Sequence, residues 1–178
     1  MRTVKVILLF LLFNTQYLSA QQSEIKRDPG YFEFTDLSSL KSGESLSEVY
    51  LEETLLKMVA GLAGKEEDGI SNILSGLKLV RVQEFMISEK DIDKAGKLIE
   101  TMDGDLLNKN WVRILKSRNK EGSSNIYVKP AQDGGYGGLV ITTLSGKGRA
   151  ALVNIVGKID LESIGKLSKQ FNLPQVVK

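Results

Sequence analysis

The chain has 178 residues, of which 24 are basic, 22 are acidic and none is Cys or His. The lack of these two residue types excludes Ser-His-Asp and Cys-His nucleophilic catalysis, histidine acid–base chemistry and metal sites built on Cys and His. The length suits one domain that buries a core of its own, and such a domain needs no disulfide for stability.

The first 20 residues have the order of parts that is typical of a secretory signal peptide. Arg2 and Lys5 precede an apolar run over residues 6–13, and the small residue Ala20 precedes Gln21. This run has 8 residues, whereas a membrane-spanning helix needs about 20, so we expect cleavage between Ala20 and Gln21. No Cys follows the run, so we expect a periplasmic or extracellular protein that is not a lipoprotein.

Removal of the signal takes away two basic residues and no acidic one, which leaves 22 basic against 22 acidic residues. A formally neutral mature chain gives no electrostatic reason to bind nucleic acid or an anionic membrane. We therefore expect no nucleic-acid partner and, after removal of the signal, no membrane span.

The segment between the signal and the first helix is predicted to be largely irregular. Residues 21–30 form a polar, flexible lead-in that ends with the turn sequence Asp28-Pro29-Gly30. The aromatic residues of 31–34 predict a short strand, and a loop that contains Ser and Gly follows as far as Gly43. The single folded domain is therefore expected to cover residues 31–173.

An amphipathic helix is predicted next. Ser45 and Glu48 have the spacing of a capping box, and apolar residues then recur at the helical period as far as Gly64. The apolar stripe consists of Leu51, Leu55, Met58, Val59 and Leu62. Residues 70–74 predict a further helical turn after the charged run over 65–69.

The remainder predicts a strand, a long helix, four strands and a closing helix. Residues 77–87 alternate Val with charged residues, as a strand does, and Ser88 and Asp91 mark the start of the long helix. Its apolar stripe is Ile92, Ala95, Ile99, Met102 and Leu106. Four β-type segments with short turns indicate antiparallel hairpins, over 111–116, 125–129, 139–144 and 150–156. Leu161, Ile164, Leu167 and Phe171 predict the closing helix, which ends before Pro174.

This order of elements predicts an α+β fold, a two-layer sandwich with a mostly antiparallel sheet and helices on one face. The period of two along the strands then assigns side chains to faces. The apolar set expected under the helices is Val80, Val82, Val112, Ile114, Ile126, Val128, Val153 and Ile155. The opposite face would carry Arg81, Gln83, Trp111, Arg113, Leu115, Tyr127, Lys129, Leu152 and Asn154.

The second of these faces is the candidate partner-binding surface. Aromatic residues beside Arg and Lys are enriched at protein–protein contacts, which singles out Arg81, Trp111, Arg113, Tyr127 and Lys129. Two alternatives stay open at this stage. A long loop or the N-terminal segment could cover the face, or its mixed residues could be ordinary sheet surface. Taken singly, Trp111 and Tyr127 are more typical of packing residues than of platforms for a ligand.

Two glycine-rich and two acidic segments are the other candidates for a site. Gly residues over 134–138 precede a strand and not a helix, so a hairpin turn is favoured over a phosphate-binding loop, and 145–148 lacks the first Gly of a Walker motif. The acidic segments 66–68 and 103–105 lack the ligand spacing of a calcium loop and predict solvated loops. We therefore predict no catalytic residue, no cofactor and no metal site.

Several of these features together resemble the exported bacterial domain of unknown function family 4252 (DUF4252). They are the signal peptide, the helix over 51–62, the strand over 77–82, the hairpins over 125–144 and the closing residues 157–161. The resemblance implies that the protein is located in the envelope of Gram-negative bacteria, where such proteins are often lipoproteins or periplasmic proteins. This chain departs from that pattern because no Cys follows its signal. No catalytic or ligand residues are implied by the resemblance.

These observations favour an exported, non-catalytic interaction module of the bacterial envelope, which binds a protein partner or associates with itself. The alternative is a periplasmic domain that binds a small-molecule or apolar ligand, and a third hypothesis is a carboxylate or Ser/Lys hydrolase. A ligand-binding domain should have a large cavity under its helices, whereas an interaction module should be tightly packed with an exposed patch. A hydrolase should have an acid or a Lys with a strongly shifted pKa in a cleft.

Overall fold

A computed structural model describes residues 24–62 and 70–159, with the backbone alone described for residues 43–46 and for residue 70. Within these residues the strands are β1 (Lys41–Glu52), β2 (Leu77–Ile87), β3 (Val112–Asn119), β4 (Gly122–Pro130), β5 (Tyr136–Ser145) and β6 (Arg149–Ile159). The α-helices are α1 (Glu53–Leu62), α2 (Ile70–Ser75) and α3 (Ile92–Asn108), and two 3-10 turns cover Ser38–Leu40 and Glu89–Asp91. The predicted signal, the acidic run over 66–68 and the predicted closing helix lie outside the described residues.

The six strands form one sheet in the order β1-β2-β6-β5-β4-β3. Every neighbouring pair is antiparallel, and β3 to β6 follow each other as the hairpins that their short connections predict. The α+β class and the antiparallel sheet are therefore confirmed. β1 and β3 are the edge strands.

Helices cover both faces of this sheet, and not one face as the sequence predicted. Leu56 and Ala60 of α1 and Leu74 of α2 belong to one buried cluster, here called the α1 core. The sheet contributes Val80, Ile126, Val128, Leu139, Ile141, Val153 and Ile155 to it. A second cluster, the α3 core, lies on the opposite face and contains Ala95, Ile99, Met102, Leu106, Trp111, Tyr127, Val140 and Leu152. The sheet is thus the middle of three layers, because both of its faces are apolar enough to be buried.

The segment over 31–37 lies across the α3 side of the sheet and is not a strand, so the prediction for 31–34 was wrong. Phe32 and Phe34 are buried in the α3 core, and their rings meet edge to face with centroids 5.6 Å apart. The Phe32 ring also meets the Trp111 ring edge to face, at 6.5 Å. Alternating buried aromatics have the same period in a strand and in an extended segment that crosses a sheet, so the pattern alone could not separate the two.

A buried amide holds this segment in place. Asn154 of β6 is fully buried, and its Oδ1 accepts a hydrogen bond from the Phe32 N–H at 3.0 Å. Its Nδ2 donates to the carbonyl oxygens of Gly30, at 3.0 Å, and Leu139, at 3.2 Å. One side chain therefore supplies hydrogen-bond partners for backbone groups that, in a strand, would pair with a neighbouring strand.

The folded part begins earlier than residue 31. The Asp28 carboxylate lies 2.8 Å from the Lys78 ammonium of β2 and also accepts a hydrogen bond from the Gly30 N–H. Gly30 is buried against the backbone of Gly137 and Gly138. The lead-in that the sequence predicted over 21–30 is therefore part of the folded domain at least from Asp28 onward.

Glycines in the β4–β5 hairpin serve two purposes, one of which the sequence predicted. Gly134 has φ +84° in the turn, which confirms the hairpin interpretation of this segment. Gly138 instead permits a close approach of backbones. A Cβ at this position would lie 2.7 Å from the Gly30 Cα and 2.8 Å from the Trp111 Cη2.

The end of α3 positions Trp111 in the core. Asn110 has φ 60°, and the Trp111 N–H donates to the Leu106 carbonyl at 3.0 Å, which is the hydrogen bond of a Schellman motif. Leu106 and Trp111 both lie in the α3 core. The helix and its predicted apolar stripe are confirmed, since Ala95, Ile99, Met102 and Leu106 are buried. The predicted elements over 70–74 and 77–87 are confirmed as α2 and β2.

The first helix differs most from its prediction. Glu48 lies in β1, which pairs with β2 over residues 46–52, so the capping-box spacing marks no helix start and α1 begins at Glu53. Strand pairing and burial of Leu51 against the α1 core outweigh this local signal. The helix also turns a different face inward, since Leu56 and Ala60 are its buried residues.

Candidate functional site

The predicted partner-binding face is largely covered, so its five residues do not form one exposed surface. Trp111 is 3% exposed and Tyr127 is fully buried, because α3 and the N-terminal segment pack over them. Arg81 is 13% exposed at its side chain, and Lys129 is half-buried, with its ammonium donating to the Lys109 and Asn110 carbonyl oxygens. Arg113 alone of the five is exposed. The sequence interpretation is corrected here in favour of its own alternative, cover by the N-terminal segment.

Arg81 ties the N-terminal segment to the sheet. Its Nη1 lies 3.0 Å from the Glu33 carboxylate and 3.3 Å from the Tyr31 hydroxyl, and its Nε lies 3.5 Å from the Glu48 carboxylate. Burial opposes the charge of Arg81, but the hydrogen bond to Glu33 and nearby charges raise its pKa above the ordinary value. Burial and the hydrogen bond to Glu33 raise the pKa of Tyr31 to about 12. These paired groups have a structural role.

An apolar surface is exposed instead on α1. Leu55, Met58, Val59 and Leu62 are 44%, 60%, 42% and 85% exposed, and we call these four residues the α1 face. They are four members of the stripe that the sequence predicted, so its helical period is confirmed while its burial is not. Val49 of the edge strand β1 is 40% exposed and pairs with Val82, which packs against the α1 core, so it lies on the same side of the sheet. No described helix is long and apolar enough to cross a membrane.

A cleft of about 380 Å³ lies between α3 and the β3–β4 hairpin, and we call it the α3 cleft. Asp103 and Asn125 line it and are 6% and 4% exposed. The Asn125 Nδ2 donates to the Asp103 Oδ1 at 3.4 Å and to the Thr142 Oγ1 at 3.3 Å. The sequence placed Asp103 in a solvated loop, which was wrong because α3 continues to Asn108 and turns this side chain inward.

Three buried polar side chains, Asp103, Asn125 and Tyr127, lie beneath this cleft. Burial raises the pKa of Asp103 above its ordinary value. Burial also raises the pKa of Tyr127, whose hydroxyl lies close enough to Asp103 to feel its charge, to about 12. The Asn125 Oδ1 is buried and has no hydrogen-bond partner among the described residues. Such a cluster is suited to accept hydrogen bonds from a bound molecule. Within the described ranges, no three acidic side chains group closely enough to hold a metal ion.

Asp103→Asn should raise stability at neutral pH. The folded-state pKa of Asp103 lies above the ordinary value, so stability is lost as pH rises through that pKa and the carboxylate ionises in its buried place. The amide carries no charge, and its oxygen can still accept the hydrogen bond from Asn125. Urea unfolding at pH 7 and pH 3 measures the difference. An advantage of the variant at pH 7 that disappears at pH 3 is expected, and a variant less stable at both pH values would contradict the buried-charge assignment.

Comparison with known proteins gives a family and no function. The family model described as Domain of unknown function (DUF4252) matches residues 40–167, which is more than half of the chain. The resemblance noted in the sequence is thereby confirmed. No curated protein and no solved structure matches the chain.

Proposed function

Since the chain belongs to the DUF4252 family, whose function is unknown, we propose that it is an exported, non-catalytic interaction module of the bacterial envelope that binds a partner protein through the α1 face. The α1 face is the observation that carries this proposal. Four large apolar side chains on one short helix are at least 42% exposed, whereas Leu56 and Ala60 on the same helix are at most 4% exposed. Contiguous apolar surface of this kind marks interaction sites in soluble domains.

The spacing of the α1 face favours a helical partner. Positions 55, 58, 59 and 62 follow the i, i+3, i+4, i+7 pattern by which one helix packs against another. Full burial of a Leu, Val or Met side chain stabilises a contact by about 1.5–3 kcal/mol, so four such residues can anchor a binding helix. The partner chemistry that fits is the apolar stripe of an amphipathic helix in another envelope protein.

The rest of the surface supports binding without catalysis. Asp103 is a buried acid with a raised pKa, and the groups beside it are the amide of Asn125 and the hydroxyl of Tyr127. Burial raises the pKa of Tyr127 to about 12, so this hydroxyl stays protonated at neutral pH and is not a general base. The α3 cleft is also lined by charged residues of both signs, and this does not suit a purely apolar ligand.

A matched pair of substitutions tests the proposal. Met58→Asp places a charge on the α1 face, and Leu107→Asp places the same charge at an exposed apolar position of α3. The protein is expressed and exported in its native host and then purified from the envelope. Met58→Asp should reduce the amount of co-purified partner about tenfold or more, and Leu107→Asp should leave that amount unchanged. Both variants should keep the thermal melt of the parent, because both positions are exposed.

Two results would contradict binding of a separate partner through the α1 face. One is co-purification of the same proteins at the same yield with both variants. The other is self-association, seen if light scattering shows a dimer of the purified mature chain that Met58→Asp converts to a monomer.

The proposed export predicts the N-terminal residue of the mature protein. The mature protein should begin at Gln21, because Ala20 ends a signal whose apolar run is too short to remain as an anchor. Intact mass spectrometry of the protein isolated from its host measures this end directly. An intact Met1 in the membrane fraction would contradict release of the protein.

A further inference from the structure

The α3 cleft has the size of a small-molecule site and lies apart from the α1 face. Its volume of about 380 Å³ falls within the range of about 300–1,000 Å³ that ligand pockets occupy. The cleft is formed by α3 on one side and by the ends of the β3–β4 and β5–β6 hairpins on the other, with Ser145 and Gly146 in its lining. Rigid elements therefore position the groups that line it.

Two buried polar side chains, Asp103 and Asn125, line this cleft. Asn125 is 4% exposed, and its Oδ1 has no hydrogen-bond partner among the described residues, although an unpaired buried acceptor costs about 1–3 kcal/mol. Asp103 beside it is 6% exposed, and the hydrogen bond that it accepts from Asn125 is long, at 3.4 Å. A carboxylate with spare acceptor capacity and an amide oxygen without a partner, both on residues that line the cleft, favour a strong donor, and an ammonium group is the donor that pairs best with a carboxylate.

The rim of the cleft is positively charged and attracts negatively charged groups. Lys97, Lys116 and Lys120 line it, are exposed and have no ion pair within the described part of the chain. Arg118 is already paired with Glu100 at 3.2 Å, and besides the buried Asp103 the remaining acid in the lining is the exposed Asp93. Three lysines against one unpaired carboxylate leave the rim positive, which suits a carboxylate on the outer end of a ligand.

We infer that the α3 cleft binds a small zwitterion, with its ammonium group on Asp103 and Asn125 and its carboxylate toward the rim lysines. Amino acids and short amino-acid-like molecules belong to this class. The inference is independent of the α1 face, since no residue is shared between the two surfaces.

Three probes that share one carbon chain test the charge pattern. Isothermal titration of the full mature chain would use 4-aminobutyrate, n-butylamine and butyrate, which carry both charged groups, the ammonium alone and the carboxylate alone. 4-Aminobutyrate is expected to bind more tightly than either single-headed probe, by about tenfold or more, because each lost charged hydrogen bond is worth roughly that factor. No binding of 4-aminobutyrate, or equal binding of butyrate, would overturn the inference.

Substitutions test which residues bind the ammonium end and which bind the carboxylate end of the ligand. Asp103→Asn and Asn125→Ala should weaken 4-aminobutyrate binding about tenfold or more, while Lys94→Gln, an exposed position of α3 outside the cleft, should have no effect. Lys116→Gln is a further variant on the exposed rim that leaves the core untouched, and it should weaken 4-aminobutyrate and butyrate but not n-butylamine. Binding that is unchanged by Asp103→Asn and by Lys116→Gln in folded protein would place the ligand elsewhere and overturn the assignment.

Discussion

Asn154→Ala is expected to lower the free energy of unfolding by about 3–5 kcal/mol, because three buried backbone groups lose their partner together. The Asn154 side chain accepts from the Phe32 N–H and donates to the Gly30 and Leu139 carbonyl oxygens. It has no exposed surface through which water could replace it. Urea unfolding of the mature protein, followed by circular dichroism, measures the loss.

Asn108→Ala is the matched control for this substitution. Asn108 is exposed in the last turn of α3, so its replacement should change the free energy of unfolding by no more than about 0.5 kcal/mol. Tryptophan fluorescence adds a local readout, since Trp111 packs on the Phe32 ring that Asn154 positions. Equal stability of the two variants would show that the N-terminal segment does not depend on Asn154.

Gly138→Ala should be strongly destabilising, by roughly 3 kcal/mol, whereas Gly137→Ala should be tolerated within about 1 kcal/mol. A Cβ at position 138 would lie 2.7 Å from the Gly30 Cα and carbonyl oxygen and 2.8 Å from the Trp111 ring. A Cβ at position 137 would meet nothing within 4 Å. The two glycines are neighbours in the same strand, so their intrinsic strand propensities cancel in the comparison.

The two alanine variants are compared by thermal melting and by urea unfolding. The parent and Gly137→Ala are expected to have similar melting temperatures, and Gly138→Ala is expected to melt at a much lower temperature than both. If Gly138→Ala were as stable as Gly137→Ala, the N-terminal segment would not lie against β5 as described. Gly30→Ala gives a second view of the same contact, because its Cβ would overlap the Gly137 carbonyl oxygen.

The sequence predicted well those elements whose signals are local. The apolar stripe of α3 and its start near Asp91 are confirmed, since a helix that packs on a sheet needs a stripe at the helical period. The hairpins from β3 to β6 are confirmed because short connections leave antiparallel pairing as the available arrangement. Family membership is confirmed as well.

Features set by contacts between distant residues could not be predicted in this way. A single sequence shows that a stripe at 55, 58, 59 and 62 is helical, but not which side of the helix meets the sheet. Leu56 and Ala60 take that place because β1 runs directly into α1 and fixes how the helix rotates over β2. Likewise, part of the cover over Trp111 and Tyr127 comes from the N-terminal segment, which is far away in the chain.

The sequence does not single out the residues of the α3 cleft, for a related reason. Asp103 stands next to Gly104, and this pair is typical of a loop, yet the surrounding apolar period continues through it as far as Leu106. An acid inside an apolar helical period was the available signal, because such a position turns toward a core. Asn125 gave a weaker signal, as a polar residue at the start of an apolar strand segment.

Binding through the α1 face is tested most directly by site-specific photo-crosslinking in the envelope of living cells. A photoreactive residue would replace Met58 or Leu55 on the α1 face, and Leu107 on α3 would serve as the exposed apolar control. Covalent adducts of one defined size at positions 58 and 55, containing a different protein and absent at position 107, are the predicted result. No adduct at either α1 position, or the same adducts at position 107, would contradict the proposal that this face binds a partner.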